Sequence, residues 1–375
     1  MGRGFPEQKA LELQFLNVLW AGLPALFLYL YFVLRALRGL SRVSRISRPV
    51  NKTLRAYSII IAAHNEAHRI GKLMEALTRL RYPEDRYEVI VSADRCTDDT
   101  VEIVRAFRSR IPRLKIIEVW DTPPGVSPKK HALHQAIQAA EHPHFLFLDA
   151  DVLPHPTHIQ AFNGYFDDDT AAVVSIRKPS VGNAWWERFL SFERLVSWCI
   201  AAAGVGLEKP FLSFGGNWGY TREAFEAVGG FEKIKYSLSG DDDLLLQQMS
   251  AGGLKVNFCL DPGGWVSMEP PTSLGHFFRQ RRRHFSAGKY YRRTLKLGYA
   301  LFHAGNLVLW VMGLTFWTAF PLLLIKLAAD AAFVYRGGKL FHERFSPLSL
   351  VGFDFLYMLY NTLVGPLGFV GKIRW

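Results

Sequence analysis

Two aspartates one residue apart, Asp149 and Asp151, follow a run of four apolar residues, Phe145-Leu146-Phe147-Leu148, with Pro143 before it and Pro154 beyond. Such a run reads as a short buried strand, and its C-terminal tip is where open α/β sheets bind ligands. Hard divalent cations such as Mg²⁺ or Mn²⁺ prefer oxygen ligands, typically one or two carboxylates plus substrate phosphates. The pair therefore suits a metal–nucleotide site. A solvated turn carries the same residues, and roughly one Asp-x-Asp arises by chance in a chain of this length.

A second acidic cluster, Asp241-Asp242-Asp243, follows Ser239-Gly240. Adjacent carboxylates repel one another and readily raise one pKa, which suits a general base working near neutral pH. The plainer explanation is a helix N-terminus, where acidic residues favour the dipole and Leu244, Leu245, Leu246 and Met249 continue the helix. The two explanations are compatible. Asp94 closes another apolar run and suits a uracil or ribose contact, although a capping loop through Thr97 or Asp98 explains it equally well. Lys129 and Lys130 stand at a helix start, suited to a phosphate or simply to solvent. His142, His144, His155 and His158 flank prolines, show no zinc spacing and read as exposed loop residues.

The elements that must position these groups alternate. Residues 58–63, 87–92, 114–119 and 145–148 are strand-like, and helical periods lie between them, for example Ile70, Leu73, Met74 and Leu77. That alternation predicts a doubly wound parallel sheet. Neither G-x-G-x-x-G nor a Walker A sequence follows any strand, which disfavours dinucleotide and P-loop chemistry. Residues 185–203 carry an aromatic amphipathic pattern that predicts core packing, with a lipid-acceptor surface as the sharper alternative.

Apolar content of 49% and net charge of +12 accompany 21% charged residues, a balance expected of a soluble-type domain joined to membrane segments. Residues 13–34 are long enough to cross a bilayer, and Arg35, Arg38, Arg42, Arg45 and Arg48 follow them. The positive-inside rule then places the following domain in the cytoplasm. Residues 272–296 hold eight Lys/Arg from Arg279 to Lys296, interleaved with aromatics. Nucleic-acid binding is the rival explanation, but an apolar run begins directly afterwards, so a basic interfacial helix is expected. Residues 299–320 predict a span, 321–335 a return if Lys326 and Asp330 face protein or the interface, and 348–370 a span or a re-entrant hairpin. The expected organisation is an anchor over 1–37, a basic linker over 38–56, a catalytic domain over 57–271, interfacial helices over 272–298 and a transmembrane region over 299–375. Cys96, Cys199 and Cys259 lack C-x-x-C spacing, so neither a disulfide framework nor a zinc site is expected.

In combination these residues resemble the membrane-bound family 2 glycosyltransferases, which have the GT-A fold, a doubly wound mixed sheet. The signatures stand in order: Ala63-His64-Asn65-Glu66, Asp94 with Cys96-Thr97-Asp98, Lys129, Asp149-Ala150-Asp151, Gly215-Gly216-Asn217, Ser239-Gly240-Asp241 with Asp243-Leu244, and Gln280, Arg283 and His284. The resemblance implies inverting transfer of a sugar, a hexose by preference, from a nucleotide donor (UDP-sugar favoured, GDP-sugar second) to a lipid-linked acceptor. It implies donor contacts from Ala63, Asn65, Glu66, Asp94, Lys129, Asp149, Gln280 and Arg283, and Mg²⁺ or Mn²⁺ on Asp151 with Asp149. Acceptor contacts would come from Gly216, Asn217, Trp218 and His284. Asp241 would be the base, or Asp242 in a register shifted by one. A polysaccharide synthase and a non-catalytic nucleotide-sugar-binding membrane protein are the alternatives. His284 in place of the tryptophan of processive synthases and Gly240 in place of an acid depart from the family pattern, and the few membrane segments available for a polymer channel favour single transfer.

Overall fold

The computed structural model describes residues 4–182, 184–271 and 273–371, with side chains from residue 17 onward. Residues 1–3 of the anchor, Asn183, Thr272 and residues 372–375 lie outside it.

Helix α1 (Gly4–Ile46) precedes strands β1 (Tyr57–Ala63), β2 (Tyr87–Asp94), β3 (Leu114–Val119) and β4 (His144–Asp149), which alternate with α2 (Ala67–Leu77), α3 (Thr100–Arg105) and α4 (Pro128–Ala139). Then follow β5 (Val152–Pro154), α5 (His158–Tyr165), β6 (Thr170–Val174), β7 (Arg177–Pro179) and α6 (Trp185–Gly206). After them come β8 (Asn217–Thr221), α7 (Arg222–Ala227), α8 (Asp243–Ala251), β9 (Lys255–Phe258) and β10 (Val266–Met268). Four helices complete the fold: α9 (Leu274–Ser286), α10 (Arg293–Thr315), α11 (Phe320–Phe341) and α12 (Pro347–Val364).

The main sheet runs β3-β2-β1-β4-β8-β6-β9. Its first four strands are parallel, whereas β8 is antiparallel to both neighbours, so the sheet is mixed. A small sheet β5-β10-β7 stands beside it. Because side chains alternate along a strand, the central strands feed two cores. Ile59, Ile61, Val89, Val91, Leu146 and Leu148 pack with α2, whereas Ile60, Ile90, Phe145 and Phe147 join α4 and α6. Burial on both faces explains the unbroken apolar runs. The parallel order also brings the C-terminal tips of β1, β2 and β4 to one edge.

Five described helices, among them α1, α10, α11 and α12, are long and apolar enough to cross a membrane by length and composition. The fifth, α6, is mostly buried inside the protein, with Phe192, Leu195, Trp198 and Cys199 in the core. Its aromatic pattern is core packing. Helix α1 lies close on α6: a Cβ at Gly39 would stand 2.8 Å from Ala203 Cα, so only glycine permits this approach. The expected linker is largely not a linker. Leu40 and Val43 are fully buried, which carries α1 on to Ile46, and the following residues strap the sheet, with Phe258 N donating to Ser47 Oγ at 2.8 Å.

Two histidines expected in solvent are buried instead. His144 packs on Tyr57 and Phe166, and His158 Nε2 lies 2.9 Å from Asn217 Oδ1. Lys326 and Asp330 do face protein. Lys326 pairs with Asp330 at 2.9 Å and with Asp354, Tyr29 donates to Asp330 at 2.6 Å, and Trp310 donates to Asp354 at 3.0 Å. That network ties α1, α10, α11 and α12 together. The chain at both ends of α12 is held by other helices: Arg188 donates to Arg344 O before it, and Arg282 to Leu367 O after it.

Candidate functional site

Asp149 ends β4, and Asp151 stands in the turn that leads to β5. Arg177, the first residue of β7, spans both carboxylates, with 2.7 Å from Nη1 to Asp149 Oδ2 and 2.7 Å from Nη2 to Asp151 Oδ1. Lys129 sits in the first turn of α4 and bridges Asp149 Oδ1 and Asp241 Oδ2, each at 3.0 Å. Burial opposes ionisation of Asp149, but Lys129 and Arg177 outweigh it and hold its carboxyl below the usual range. Burial likewise opposes the charge on Lys129, yet Asp149 and Asp241 raise its pKa. Acid and base here are mutually charged.

The Asp241 loop is set by Lys130, which is fully buried and donates to Ser237 O and Ser239 O. Its αL bend falls at Gly240, where φ is +80° and glycine fits without strain. The three aspartates then diverge in role. Asp243 accepts from Ser213 N at 2.8 Å and from Tyr291 Oη at 2.6 Å, which makes it part of the scaffold. Burial, and then the Asp241 charge, push Asp242 up to about 6. Asp241 keeps its Lys129 partner. The acidic run therefore opens α8 and enters the site as well.

Gln280, Arg283 and His284 of α9 complete the wall. They line, with Lys129, Asp149, Asp151, Arg177, Asp241 and Asp242, one cavity of about 830 Å³ that continues between α10 and α12 past Tyr299, Phe302, Tyr357 and Tyr360. Gln280 Oε1 is buried without a hydrogen-bond partner. Burial and then the Arg281 and Arg283 charges depress His284, keeping its imidazole neutral.

The predicted residues divide into three groups. Those just named come together in the cavity. Ala63, Asn65, Glu66 and Asp94 lie at the neighbouring tips of β1 and β2: Asn65 Oδ1 accepts from Thr97 N at 2.8 Å, and Ala63 O faces Cys96 Sγ. Asp94 is 3% exposed, and both its oxygens accept from Arg95, at 2.8 and 3.0 Å. Burial raises Glu66, and the Asp151 and Asp149 charges add to that. The third group corrects the expected acceptor contacts. Asn217 is fully buried, its amide donating to Ile176 O and Gly264 O, and Trp218 packs between Phe147 and Tyr220 in the core. Both lie on β8 inside the sheet, so neither reaches the cavity. Gly216 presents only backbone, against Asp149 and Arg177. Sequence reasoning missed Arg177, because a lone arginine after a strand carries no signal. It gave Lys130 to a phosphate or to solvent, whereas the side chain is buried and holds the Asp241 loop.

Asp149 and Asp151 offer hard oxygen donors to a divalent cation, but no group of three or more His, Cys, Asp or Glu able to hold a metal occurs among the described residues. The residues fit a cation that arrives with a diphosphate supplying the remaining oxygens.

Comparison with known proteins bears on the family and the fold. The model for "Glycosyl transferase family 2" matches residues 58–229, and that for "Glycosyl transferase family group 2" matches residues 144–364. The beta-monoglucosyldiacylglycerol synthase of Synechocystis is 27% identical over 244 residues, covering 63% of this chain and 48% of that protein. Glycosyltransferase AglE of Haloferax volcanii is 25% identical over 238 residues, covering 62% of this chain and 73% of that one. The chain thus spans about half the length of the first relative. Among solved structures, the mannosyltransferase PcManGT from Pyrobaculum calidifontis, in complex with GDP-Man and Mn²⁺, superposes with a TM-score of 0.57 at 20% identity over 92% of both chains. That likeness shows the shared GT-A fold.

Proposed function

The chain belongs to glycosyl transferase family group 2, and on that premise we propose that it transfers a sugar from a nucleoside-diphosphate donor to a membrane lipid acceptor with inversion. The single observation that carries this reading is the continuous cavity, charged at the sheet edge and aromatic between α10 and α12. A nucleotide sugar is polar and a lipid is not, so one cavity with both characters suits a reaction that joins them. The Synechocystis relative bears the name of a diacylglycerol glycosylating enzyme, which supports the same acceptor class.

Asp94, Asn65 and Glu66 hold the nucleoside at the β1–β2 edge, with Arg95 sharing the Asp94 carboxylate. Lys129, Arg177 and Arg283 face the diphosphate, where fixed cations stabilise the charge that develops on the leaving group. A divalent cation held by Asp151 and Asp149 would supply further charge neutralisation for the departing diphosphate. Gln280 Oε1, buried and unpartnered, awaits a donor hydroxyl. The acceptor oxygen attacks the anomeric carbon opposite the leaving group; its bond forms as the bond from carbon to diphosphate oxygen breaks. The hydroxyl proton passes to the Asp241–Asp242 pair. Asp241 holds the signature position and is paired with Lys129 at 3.0 Å, whereas Asp242 has no such partner among the described residues and a pKa raised to about 6, which makes it the better proton acceptor.

The same reading gives α1, α10 and α11 as spans, with the sheet domain on the cytoplasmic side, because Arg35 and Arg42 follow the apolar stretch of α1 and Arg292 precedes α10. Helix α12, tied at both ends, folds back. The test is the configuration of the new glycosidic bond by NMR, using purified protein, a panel of UDP- and GDP-sugars and Mn²⁺. An anomer opposite to the donor's is expected; a retained configuration, or no turnover of any donor, would sink the proposal.

A further inference from the structure

Glu193 and Arg194, neighbours on α6, both line the cavity. Arg281 reaches across from α9 and donates to Glu193 Oε2 at 2.5 Å, its guanidinium lying 4.9 Å from the Phe277 ring centre. The same oxygen stands 3.7 Å from Arg194 Nε. One carboxylate thus serves two guanidinium ions, and one positive charge is left over. Arg177, another cation near Arg194, pairs with Asp149 and Asp151, so those carboxylates do not answer the Arg194 charge. The Arg194 side chain is only 12% exposed. A charge so far from water calls for a counter-ion.

The position of Arg194 favours an anion on the acceptor side. Along α6 its cavity face continues through Ser197 and Ile200, and Tyr360 of α12 stands near it on the aromatic wall. The donor diphosphate has its own cations at Lys129 and Arg177. The acid pair narrows the headgroup further. A phosphomonoester acceptor is already an anionic nucleophile and needs no base, and a neutral lipid needs no guanidinium. A site with both suits a headgroup that carries a hydroxyl and a phosphate together.

We propose that Arg194 binds the phosphate of a glycerophospholipid whose free headgroup hydroxyl is the nucleophile. This rests on the lipid-acceptor reading above and narrows it. The hydroxyl oxygen bonds to the anomeric carbon, its proton goes to the acid pair, the nucleoside diphosphate leaves with the electron pair, and the lipid phosphodiester is unchanged.

The experiment uses the full chain in neutral detergent and compares wild type, Arg194→Ala and Arg194→Lys. Binding of phosphatidylglycerol and of diacylglycerol is followed by tryptophan fluorescence, and transfer to each is followed with a labelled donor. A charge-assisted hydrogen bond lost on truncation weakens binding by about 10- to 100-fold. That loss is expected for phosphatidylglycerol in Arg194→Ala, with partial recovery in Arg194→Lys and an unchanged Kd for UDP or GDP. Equal binding of both lipids in wild type, or an undiminished phosphatidylglycerol affinity in Arg194→Ala, would overturn the inference. So would an equal loss of nucleotide affinity, which makes Arg194 a donor residue. Arg194-dependent phosphatidylglycerol binding without transfer upholds this site while refuting the glycosyl-transfer reading. Should Arg194→Ala not fold, Arg194→Gln retains the side-chain stem through Cδ and carries the same readouts.

Discussion

Replacing Gly216 with alanine tests the site through shape alone. A Cβ there would stand 2.7 Å from Asp149 Oδ2, 2.9 Å from Asp149 Cγ and 3.0 Å from Arg177 Cζ. These separations fall well below ordinary carbon contacts of about 3.5–4.0 Å, so one side must move. The β8 backbone is the stiffer side, because Asn217 is fully buried and held by His158, Ile176 and Gly264. The Asp149 carboxylate must therefore yield, and with it the 2.7 Å bond to Arg177. Overpacking of this kind costs about 1–3 kcal/mol. If most of that falls on the donor diphosphate, kcat/KM drops about 10- to 100-fold. Steady-state transfer at varied donor concentration measures it. Gly215→Ala is the control: its nearest atoms, Asp242 Oδ2 at 3.2 Å and Asp241 Oδ2 at 3.4 Å, need move only a few tenths of an ångström. Full activity in Gly216→Ala, or a larger loss in Gly215→Ala, would refute the argument.

Because burial and Asp241 push Asp242 up to about 6, the base is protonated below that pH and free above it. The sign follows: kcat/KM should rise about tenfold per pH unit up to about 6 and then level off, read from a pH–rate profile. Asp242→Asn should remove that limb together with about 10²–10⁴-fold of kcat, whereas Asp241→Asn, by deleting the like charge, should shift the limb to lower pH. If Asp241→Asn instead abolishes transfer while Asp242→Asn spares it, Asp241 is the base. Removing Asp354 leaves Lys326 short of a partner in the helix bundle, so Asp354→Ala should destabilise the protein by about 3–5 kcal/mol, read by denaturation in detergent; an unchanged midpoint would count against the network.

Much of the fold could be read from residues because each signal was local. Apolar runs made β1, β2 and β4, the helical period of Ile70, Leu73, Met74 and Leu77 made α2, and the aspartates at strand tips marked the ligand edge. What local pattern could not carry was partnership across the chain. Arg177 meets Asp149 and Asp151 only because β7 joins the small sheet beside β4, and Lys130 is buried because a loop about a hundred residues away wraps its ammonium. The same limit misplaced Asn217 and Trp218, since a signature beside the site looks like one inside it until β8 is known to run within the sheet. Linker charges likewise hid Leu40 and Val43, the two residues that hold the end of α1 on the protein.

The central claim is that sugar passes from a nucleotide to a lipid at the Asp149–Asp151 edge. Its most direct measurement is the partition of label into the organic phase after purified protein, labelled UDP- or GDP-sugars, Mn²⁺ and membrane lipids are incubated together. Wild-type protein should place label in the lipid phase, and Asp151→Asn should lose nearly all of it. Label that stays in water with every donor, or transfer that survives Asp151→Asn intact, would contradict it.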